Sequence, residues 1–333
     1  MNLIIPMAGM GTRMRPHTLT IPKPLLAVAG KPIVQRLCED IVNVCQEPVK
    51  EIAFIIGDFG PKVEEQLLAI AHAAGAQGKI YYQREALGTG HAVHCAAPSL
   101  SGKTIVAFAD TLFRADFVLD DSQDGIIWTY RVQDPSAFGV VTTDDKGIIN
   151  GFVEKPQSFV SDQAIIGIYY FRDGAMLRDE LQYLLDNNIT NSGEYQLTTA
   201  LENMRNKGIR FVPGDVQEWM DCGNKNATVQ TNQRVLEHAG AQALPQTLRM
   251  DNAIVIQPCF IGENVSLRNA IVGPYVSLGK NARIENTVIS NSIVGENSSI
   301  SSAVLDNTMF GNHASFEGKP AELSLGDYSQ IKG

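Results

Sequence analysis

The last quarter of the chain repeats at a very short interval. From residue 253 onward, apolar residues followed by glycine or a small polar residue recur every five or six positions, as Ile261, Leu267, Val272, Leu278, Ile284, Ile289, Val294, Ile300, Leu305, Phe310 and Phe316. Glycines stand beside several of them, as Gly262, Gly273, Gly279, Gly295 and Gly311. Antiparallel strands would instead alternate with period two and carry hairpin signals at wider spacing. The period is typical of hexapeptide repeats, so we predict a left-handed parallel β-helix for residues 253–333.

The first two-thirds of the chain follow another pattern, in which short β-branched runs alternate with stretches of helical period. Strands are predicted at residues 2–7, 51–56, 79–82, 104–109, 126–130, 139–143 and 165–171. Helices are predicted at residues 32–44, 61–74 and 194–207. This order predicts an α/β domain at residues 1–235, with a Rossmann-like mixed sheet covered by helices. Residues 236–252, where the pattern weakens, are predicted to be a linker.

The composition and charge of the chain indicate which kinds of molecule it binds. The formal net charge of −9 excludes a surface built to coat nucleic acid polymers or a polybasic membrane patch. No apolar run approaches the ~20 residues that span a bilayer, and the first residues lack the features of a signal peptide. The five cysteines form no Cys-x-x-Cys pair, which indicates neither a zinc site nor a disulfide framework. We therefore expect a cytoplasmic protein that binds small molecules.

A short glycine-rich segment follows the first predicted strand, with the sequence Ala8-Gly9-Met10-Gly11-Thr12-Arg13. Glycine lets the chain turn sharply and lets a phosphate approach backbone N–H groups without a Cβ in the way. A Rossmann fingerprint would need a third glycine where Met14 stands, and a Walker A loop would need Gly-Lys-Ser/Thr. The segment therefore indicates a phosphate-binding turn that fits neither of these motifs.

The glycine turn and a second motif, Pro22-Lys23-Pro24-Leu25, together resemble the opening signature of the sugar nucleotidyltransferases, also called nucleotide-sugar pyrophosphorylases. The resemblance continues across residues 1–235 through Gln83 with Leu87-Gly88-Thr89-Gly90, Ala109-Asp110-Thr111, Phe138-Gly139-Val140-Val141, Glu154-Lys155-Pro156, Gly167-Ile168-Tyr169 and Trp219-Met220-Asp221-Cys222-Gly223. The chain is most similar to the glucose-1-phosphate thymidylyltransferase and uridylyltransferase branch, in the long form with an appended β-helix. One departure is Ala109, because relatives usually have glycine before the aspartate.

The resemblance implies that the phosphate oxygen of a hexose 1-phosphate attacks the α-phosphorus of a nucleoside triphosphate and releases pyrophosphate. Because two anions must meet, the main tasks are charge neutralisation and alignment. By resemblance, Arg13 and Lys23 contact the triphosphate and Lys155 holds the sugar phosphate. Relatives bind Mg²⁺ with carboxylates that match Asp110 and Asp221. Carboxylates at strand ends also suit a hard, oxygen-seeking cation.

The remaining contacts implied by the resemblance form two sets. Nucleotide binding is assigned to Ala8, Gly9, Gly11, Thr12, Gln83, Gly88 and Thr89. Sugar binding is assigned to Gly139, Glu154, Lys155, Gly167 and Trp219, where Glu154 accepts hydrogen bonds from sugar hydroxyls. His91 and His94 are interpreted as packed or solvated side chains, because the reaction does not demand a general base from the protein.

Only a few residues indicate which nucleotide and which sugar the protein would use. Gln83 matches the position from which pyrimidine-using relatives contact the base, and an amide that both donates and accepts suits the imide edge of uracil or thymine. We therefore favour dTTP or UTP. Residues 219–221 also resemble the mannose-1-phosphate guanylyltransferases, which keeps GTP open. Residues 88–92 and 30–35 resemble the N-acetylglucosamine-1-phosphate uridylyltransferases, but Ile165 and Asp221 stand where those enzymes typically have asparagine. Glucose 1-phosphate is therefore the favoured sugar.

Two roles are considered for the repeat domain. A platform for homo-oligomerisation or regulation is favoured. The alternative is a bifunctional enzyme in which the repeats act as an acyltransferase, which would need a catalytic histidine, and only His313 lies in the repeat region. A catalytically inactive sensor is a third hypothesis, and it conflicts with the retention of both predicted metal ligands and both lysines.

Overall fold

The computed structural model describes residues 1–115, 118–319 and 330. The end of the predicted β-helix domain, residues 320–329 and 331–333, lies outside the described residues. The chain divides into two compact units: Met1–Leu26 with Lys31–Ala227, and Ala27–Gly30 with the chain from Thr228 onward. The helix Lys225–Ala239 continues into the predicted linker, and the strand Arg249–Val255 begins within it.

Strands and helices alternate through the first two-thirds of the chain. In chain order, the strands are β1 (Asn2–Pro6), β2 (Ala27–Val28), β3 (Lys31–Pro32), β4 (Glu51–Ile56), β5 (Gln77–Tyr82), β6 (Thr104–Ala107), β7 (Thr111–Arg114), β8 (Gly125–Arg131), β9 (Gly139–Thr143), β10 (Ile149–Glu154), β11 (Gln163–Phe171), β12 (Phe211–Asp215) and β13 (Glu218–Asp221). The helices are α1 (Ile33–Val44), α2 (Pro61–Ala73), α3 (Thr89–His94), α4 (Gly174–Asp186), α5 (Leu197–Asn206) and α6 (Lys225–Ala239). Within the described ranges, none of the helices combines the length and hydropathy needed to cross a bilayer.

One mixed sheet organises the first unit, and this confirms the predicted α/β class. Its strand order is β10-β9-β11-β6-β1-β4-β5, and β8 pairs with both β11 and β12. Strands β1, β4, β5 and β6 are mutually parallel, whereas β11 runs antiparallel to β6, β8 and β9. Since parallel strands end at one edge of a sheet, the segments that follow β1, β5 and β6 meet there. These segments carry the glycine turn, Gln83 and Asp110.

The local sequence explains the central elements. Strands β1, β4 and β6 are buried over almost their whole length, which is why they are continuous apolar runs rather than alternating ones. Helix α1 buries Ile33, Leu37, Ile41 and Val44 along one face, as its apolar spacing predicts. Helix α4 is capped at its N-terminus by Asp173, whose side chain accepts a hydrogen bond from the N–H of Ala175.

Three differences from the predicted elements bear on the site. The strand predicted at residues 104–109 ends at Ala107, so Asp110 lies in the turn between β6 and β7 and not at a strand end. The helix predicted at residues 194–207 begins at Leu197, because Asn191 and Glu194 pair in a tight turn before it. Strands β2, β3, β7, β10, β12 and β13 and helices α4 and α6 had no prediction. Both β7 and β13 are only four residues long, which is too short to show a periodic pattern.

The second unit is dominated by parallel strands. They are β14 (Arg249–Val255), β15 (Phe260–Ile261), β16 (Ser266–Val272), β17 (Val276–Leu278), β18 (Arg283–Ser290), β19 (Ser292–Val294), β20 (Ser299–Asp306), β21 (Met309–Phe310) and β22 (Ser315–Glu317). The even-numbered strands form one parallel sheet and the odd-numbered strands β15 to β21 form another, so the chain enters the two sheets alternately. Paired residues are 17 positions apart in the first repeats, as for Arg249 and Ser266, and 16 apart later, as for Arg283 and Ser299.

Residues with left-handed backbone conformation recur with the same spacing. They form three columns: Asn252, Asn269, Asn286 and Ser302; Asn264, Asn281, Asn297 and His313; and Tyr275, Asn291 and Asn307. Asparagine tolerates this conformation better than most residues, which explains its abundance here. In the first column, the side-chain amide of Asn252 donates to Asn269 at 2.8 Å, and Asn269 donates to Asn286 at 3.0 Å. The sequence therefore contained a second repeat signal, the regular spacing of asparagines, which the prediction from the apolar residues did not take into account.

The predicted apolar positions largely face inward. The positions from Ile261 to Ile300 are buried, Leu305 and Phe310 are half-buried, and Phe316 in β22 is 41% exposed. The glycines beside these positions allow successive strands to approach. A Cβ on Gly279 would lie 2.7 Å from the backbone nitrogen of Glu296, and one on Gly295 would lie 2.5 Å from the carbonyl carbon of Gly311. A side chain at either position would therefore push the next repeat away.

Candidate active site

The glycine turn forms one wall of a cleft in the first unit. Gly11 adopts a left-handed conformation with φ of 58°, and a Cβ there would lie 3.0 Å from Cβ of Lys23. The hydroxyl of Thr18 donates to the carbonyl oxygen of Gly11 at 2.8 Å. Glycine is therefore needed at position 11 for both its backbone conformation and its close approach to Lys23.

The cleft has a volume of about 410 Å³ and lies at the edge where the parallel strands end. The predicted site residues that line it are Ala8, Gly9, Gly11, Thr12, Arg13, Lys23, Gln83, Gly88, Thr89 and Asp110. The structure thus brings together every residue assigned to the nucleotide, together with two basic side chains and one acidic side chain. Phe108, Glu194 and Gly223 also line the cleft and had not been assigned a role.

Lys23 and Asp110 form an ion pair at the floor of the cleft. The ammonium nitrogen lies 2.9 Å from Oδ2 of Asp110. The Lys23 side chain is only 9% exposed, whereas that of Asp110 is 43% exposed. A buried ammonium group needs a partner, so Asp110 stabilises Lys23, and the exposed face of the carboxylate remains open to the cleft.

Asp221 reaches the same place from a distant part of the sequence. Strand β13 pairs antiparallel with β7, with Asp221 opposite Thr111, and the N–H of Cys222 donates to the carbonyl oxygen of Asp110 at 3.0 Å. Burial raises the pKa of Asp221 and the charge of Asp110 raises it further. The N–H of Gly223, which donates at 2.8 Å, and the charges of Lys23 and Arg13 oppose that rise in pKa. The two acids are therefore close enough to repel each other.

This arrangement suits a hard divalent cation. Carboxylate oxygens are the protein ligands that Mg²⁺ takes, usually one or two of them with water and substrate phosphates completing the shell. Among the described residues, there is no group of three or more histidine, cysteine or acidic side chains that could hold a metal without such help. The donor set of Asp110 and Asp221 fits a cation that arrives together with a triphosphate.

The loop after β5 forms the opposite wall of the cleft. The side-chain nitrogen of Gln83 donates to the carbonyl oxygen of Gly88 at 3.1 Å. The hydroxyl of Thr89 accepts from the N–H of Leu197 at 3.0 Å. Two further backbone hydrogen bonds, Tyr195 N–H to Leu87 and Gly90 N–H to Tyr195, join the loop to the start of α5 at 2.8 Å each. This loop is therefore held in place by the segment that contains Glu194.

Gly88 to alanine is expected to disrupt this wall. Gly88 has φ of 112°, and a Cβ there would lie 2.5 Å from the carbonyl oxygen of Tyr195, so the backbone bonds to Tyr195 must break. We expect a loss of about 2–4 kcal/mol in the free energy of unfolding and a rise in the KM for the triphosphate.

Gly75 to alanine is the matched control, since Gly75 also has positive φ but open space around it. It should cost only about 1–2 kcal/mol. Denaturant titration and steady-state kinetics test both variants, and equal losses would contradict the steric argument.

The residues assigned to the sugar lie outside the described lining of the cleft. Glu154 and Gly139 are adjacent across β9 and β10, and a Cβ on Gly139 would lie 3.1 Å from Oε2 of Glu154. Burial raises the pKa of Glu154, the charge of Lys155 lowers it, and Glu194 at the cleft raises it. Gly167 accepts a hydrogen bond from the N–H of Phe108, which lines the cleft, at 2.9 Å. This set therefore extends from the cleft along the sheet.

Trp219 and Lys155 occupy distinctive positions in this extension. Trp219 packs edge-on against Phe138, with ring centroids 4.9 Å apart. The N–H of Lys155 donates to the carbonyl oxygen of Phe138 at 3.0 Å, and Lys155 has φ of 45° although it is not glycine. Left-handed conformations of bulky residues cost energy and concentrate at functional positions. Phe138 thus contacts two of the five residues that were assigned to the sugar, Lys155 and Trp219.

Comparisons with known proteins identify the family of the chain. A family model described as nucleotidyl transferase matches residues 3–238. The chain belongs to this family. Over 328 residues, this nucleotidyltransferase is 27% identical to a glucose-1-phosphate thymidylyltransferase from Streptomyces antibioticus, covering 88% of this chain and 87% of that protein. Over 195 residues it is 32% identical to the mannose-1-phosphate guanylyltransferase catalytic subunit beta of Drosophila melanogaster, covering 54% and 50% of the two chains.

A solved structure extends the comparison to the fold. A UDP-glucose pyrophosphorylase complexed with UDP-glucose is similar with a TM-score of 0.59 and 22% identity. The match covers 71% of this nucleotidyltransferase and 98% of that chain. At this identity the likeness supports the α/β fold of the family member described here.

Proposed function

We propose that the chain is a sugar-1-phosphate nucleotidyltransferase that forms a nucleotide sugar and pyrophosphate from a nucleoside triphosphate and a hexose 1-phosphate. The observation that carries this proposal is the cleft lined by the glycine turn, Lys23 and Asp110, with a second acid, Asp221, beside Asp110. Such a cleft offers backbone donors and positive charge to phosphates together with oxygen ligands for a cation. Family membership and the named relatives support the same reaction.

In the proposed reaction, a sugar phosphate oxygen forms a bond to the α-phosphorus, while the bond from that phosphorus to the β-phosphate oxygen breaks. The electron pair of the broken bond leaves with pyrophosphate, so no covalent protein intermediate is needed. Arg13 and Lys23 neutralise the triphosphate and the departing pyrophosphate. Lys155 binds the sugar phosphate, so the cleft together with its extension along the sheet holds the two reactants in line.

The proposed cofactor is Mg²⁺, held by Asp110 and Asp221. When bound, the ion would neutralise charge on the phosphates that it contacts. Before it binds, Lys23 partly offsets the repulsion between the two carboxylates. The protein itself thus contributes a preformed pair of oxygen ligands and a basic residue beside them.

The favoured substrates are dTTP or UTP and glucose 1-phosphate. The position of Gln83 on the wall of the cleft supports a pyrimidine base. The named relatives support glucose 1-phosphate, since one of them is a glucose-1-phosphate thymidylyltransferase. The mannose-1-phosphate guanylyltransferase match keeps GTP with mannose 1-phosphate as the alternative, and the N-acetylhexosamine 1-phosphates remain a further one.

Lys155 to alanine is expected to raise the KM for the sugar phosphate about tenfold or more, because a charge-assisted contact to phosphate is worth roughly 1.5–3 kcal/mol. The KM for the triphosphate should change little. Lys155 to glycine relieves the left-handed backbone but also removes the charge, so it should show the same kinetic defect. Lys146, an exposed turn residue, provides the control. Unaltered sugar-phosphate kinetics in both Lys155 variants would reject this role.

We further propose that residues 253–333 form a hexapeptide-repeat β-helix appended to a catalytic domain at residues 1–235. Parallel strands at intervals of 16 or 17 residues and three left-handed columns support one coil per three short repeats. Its proposed role is homo-oligomerisation in a cytoplasmic enzyme. His313 occupies a turn position that asparagine holds in three preceding repeats, which favours a backbone role for it over acyl transfer.

The deciding experiment measures pyrophosphate release from dTTP, UTP, GTP and ATP in the presence of Mg²⁺ and each of several hexose 1-phosphates. We expect release with a pyrimidine triphosphate and glucose 1-phosphate. A parallel incubation with acetyl-CoA and an amino sugar phosphate tests the acyltransferase alternative. Failure of every triphosphate to release pyrophosphate would overturn the proposed function.

A further inference from the structure

The side-chain nitrogen of Gln83 is held by two acceptors. It lies 3.1 Å from the carbonyl oxygen of Gly88 and 3.1 Å from Nδ1 of His91. A carbonyl oxygen can only accept, so the amide atom beside Gly88 must be the nitrogen. Its second hydrogen is then available to Nδ1 of His91, which must be the unprotonated ring nitrogen. The orientation of the amide and the tautomer of the imidazole are therefore fixed together.

This arrangement determines which atom Gln83 offers to a ligand. Because the nitrogen is committed to Gly88 and His91, the oxygen is the amide atom left to contact a base in the cleft that Gln83 lines. An amide oxygen accepts and therefore selects an N–H donor. The ring N–H of a uracil or thymine imide is such a donor.

Building on the nucleotidyltransferase activity proposed above, we propose that His91 is a positioning residue for base recognition, which holds Gln83 so that its oxygen faces the N–H of a pyrimidine imide. His91 acts through Gln83 and does not itself line the cleft. It is half-buried at the start of α3, beside Ala92 and Val93, which are buried and fix the helix. This role replaces the interpretation of His91 as a packed or solvated side chain.

Protonation of His91 would reverse the arrangement. Burial lowers the pKa of His91 below its ordinary 6.5, and the charge and backbone of Glu85 oppose that shift. On the same helix, burial also lowers the pKa of His94, while a hydrogen bond to Gln182 and the charge of Asp186 oppose that shift. Once Nδ1 carries a proton, two donors face each other and the amide must turn. The affinity for the base should therefore fall as the pH drops through the pKa of His91.

Two substitutions separate positioning from packing. His91 to alanine removes the acceptor, and we expect the KM for UTP or dTTP to rise about fivefold to tenfold. The kcat and the KM for the sugar phosphate should stay within about twofold. His91 to asparagine places an oxygen near the former Nδ1, so it should restore the triphosphate KM. His94 to alanine, on the same helix, is the matched control and should leave all three constants unchanged.

The pH dependence provides a readout that a packing role would not change. The triphosphate KM of the wild-type protein should rise between pH 8 and pH 5.5 more steeply than that of the His91 to asparagine variant, which cannot titrate there. Titration of the triphosphate itself affects both proteins equally and cancels in the comparison. Superimposable profiles, or an unchanged triphosphate KM in the alanine variant, would overturn the inference.

A base analogue tests the contact itself. UTP methylated at the imide nitrogen lacks the N–H donor, so wild-type protein should discriminate against it, and Gln83 to alanine should lose most of that discrimination. Equal discrimination by the two proteins would count against the inference. If the wild-type protein releases no pyrophosphate, the proposed reaction fails. Calorimetric binding of UTP to wild-type protein and to the His91 variants then tests the positioning role alone.

Discussion

Replacing Asp221 by asparagine is expected to lower kcat by about 10³-fold or more while leaving the free protein at least as stable as the wild type. The substitution removes one of the two carboxylates proposed to hold Mg²⁺. It also removes a charge that burial and Asp110 disfavour, as the raised pKa of Asp221 indicates. Asparagine keeps an oxygen that can accept from Gly223. Pyrophosphate release measures the activity, and thermal unfolding measures the stability.

Asp110 to asparagine should lower kcat by a similar factor. In contrast to the Asp221 variant, it should also destabilise the protein. It leaves the buried ammonium of Lys23 without its anion, which we expect to cost about 1–3 kcal/mol of unfolding free energy. Asp145 to asparagine, in an exposed turn, is the control for removal of an acid elsewhere in the same unit. Undiminished turnover in either site variant would refute the metal assignment.

Replacing Lys23 by methionine is expected to lower kcat by about 10²–10³-fold. The Lys23 side chain is almost fully enclosed and its ammonium points at Asp110, so no exposed side chain can substitute for it. Methionine fills a similar volume, which separates loss of charge from loss of packing. Lys62 to methionine, on the exposed surface of α2, is the control and should retain full turnover.

The same variant should respond differently to the cation. Lys23 and a divalent ion both seek the oxygens of Asp110, so removal of the ammonium should lower the Mg²⁺ concentration needed for half-maximal activity. A fall in kcat together with a lower Mg²⁺ concentration at half-maximal activity would match this competition. Wild-type turnover in the Lys23 variant would refute its role at the leaving pyrophosphate.

The sequence predicted several elements that carried a clear signal of their own, although it missed helices α4 and α6. The apolar spacing of α1 and the buried run of β4 gave bounds within a residue of those observed. Short strands such as β7 and β13 carry too few residues for a period, and they form only because each has the other as a partner. The helix expected from residue 194 begins later because the preceding residues turn back on themselves.

The sequence predicted which residues belong to the candidate site, but it did not predict the contacts between them. The motifs named the glycine turn, Lys23 and both acids. The structure places the glycine turn, Lys23 and Asp110 at one cleft, and Asp221 close to Asp110. Glu194 had no predicted role because it lies in none of the motifs. His91 lies within the motif at residues 88–92 but was interpreted as a packed or solvated side chain, because the reaction needs no general base from the protein. Their importance follows from neighbours, namely the cleft for Glu194 and the amide of Gln83 for His91.

The sequence by itself determined the local conformations: a glycine turn after a buried strand, helices of amphipathic period, and short repeats with asparagine at left-handed positions. These depend on interactions between residues close in the chain, which leave a visible pattern. Only the tertiary structure decided that Lys23 pairs with Asp110, 87 residues away, and that the pairing of β13 with β7 brings Asp221 beside them. Such contacts arise when the sheet brings distant segments to one edge, so their strength depends on packing and burial that no local pattern encodes.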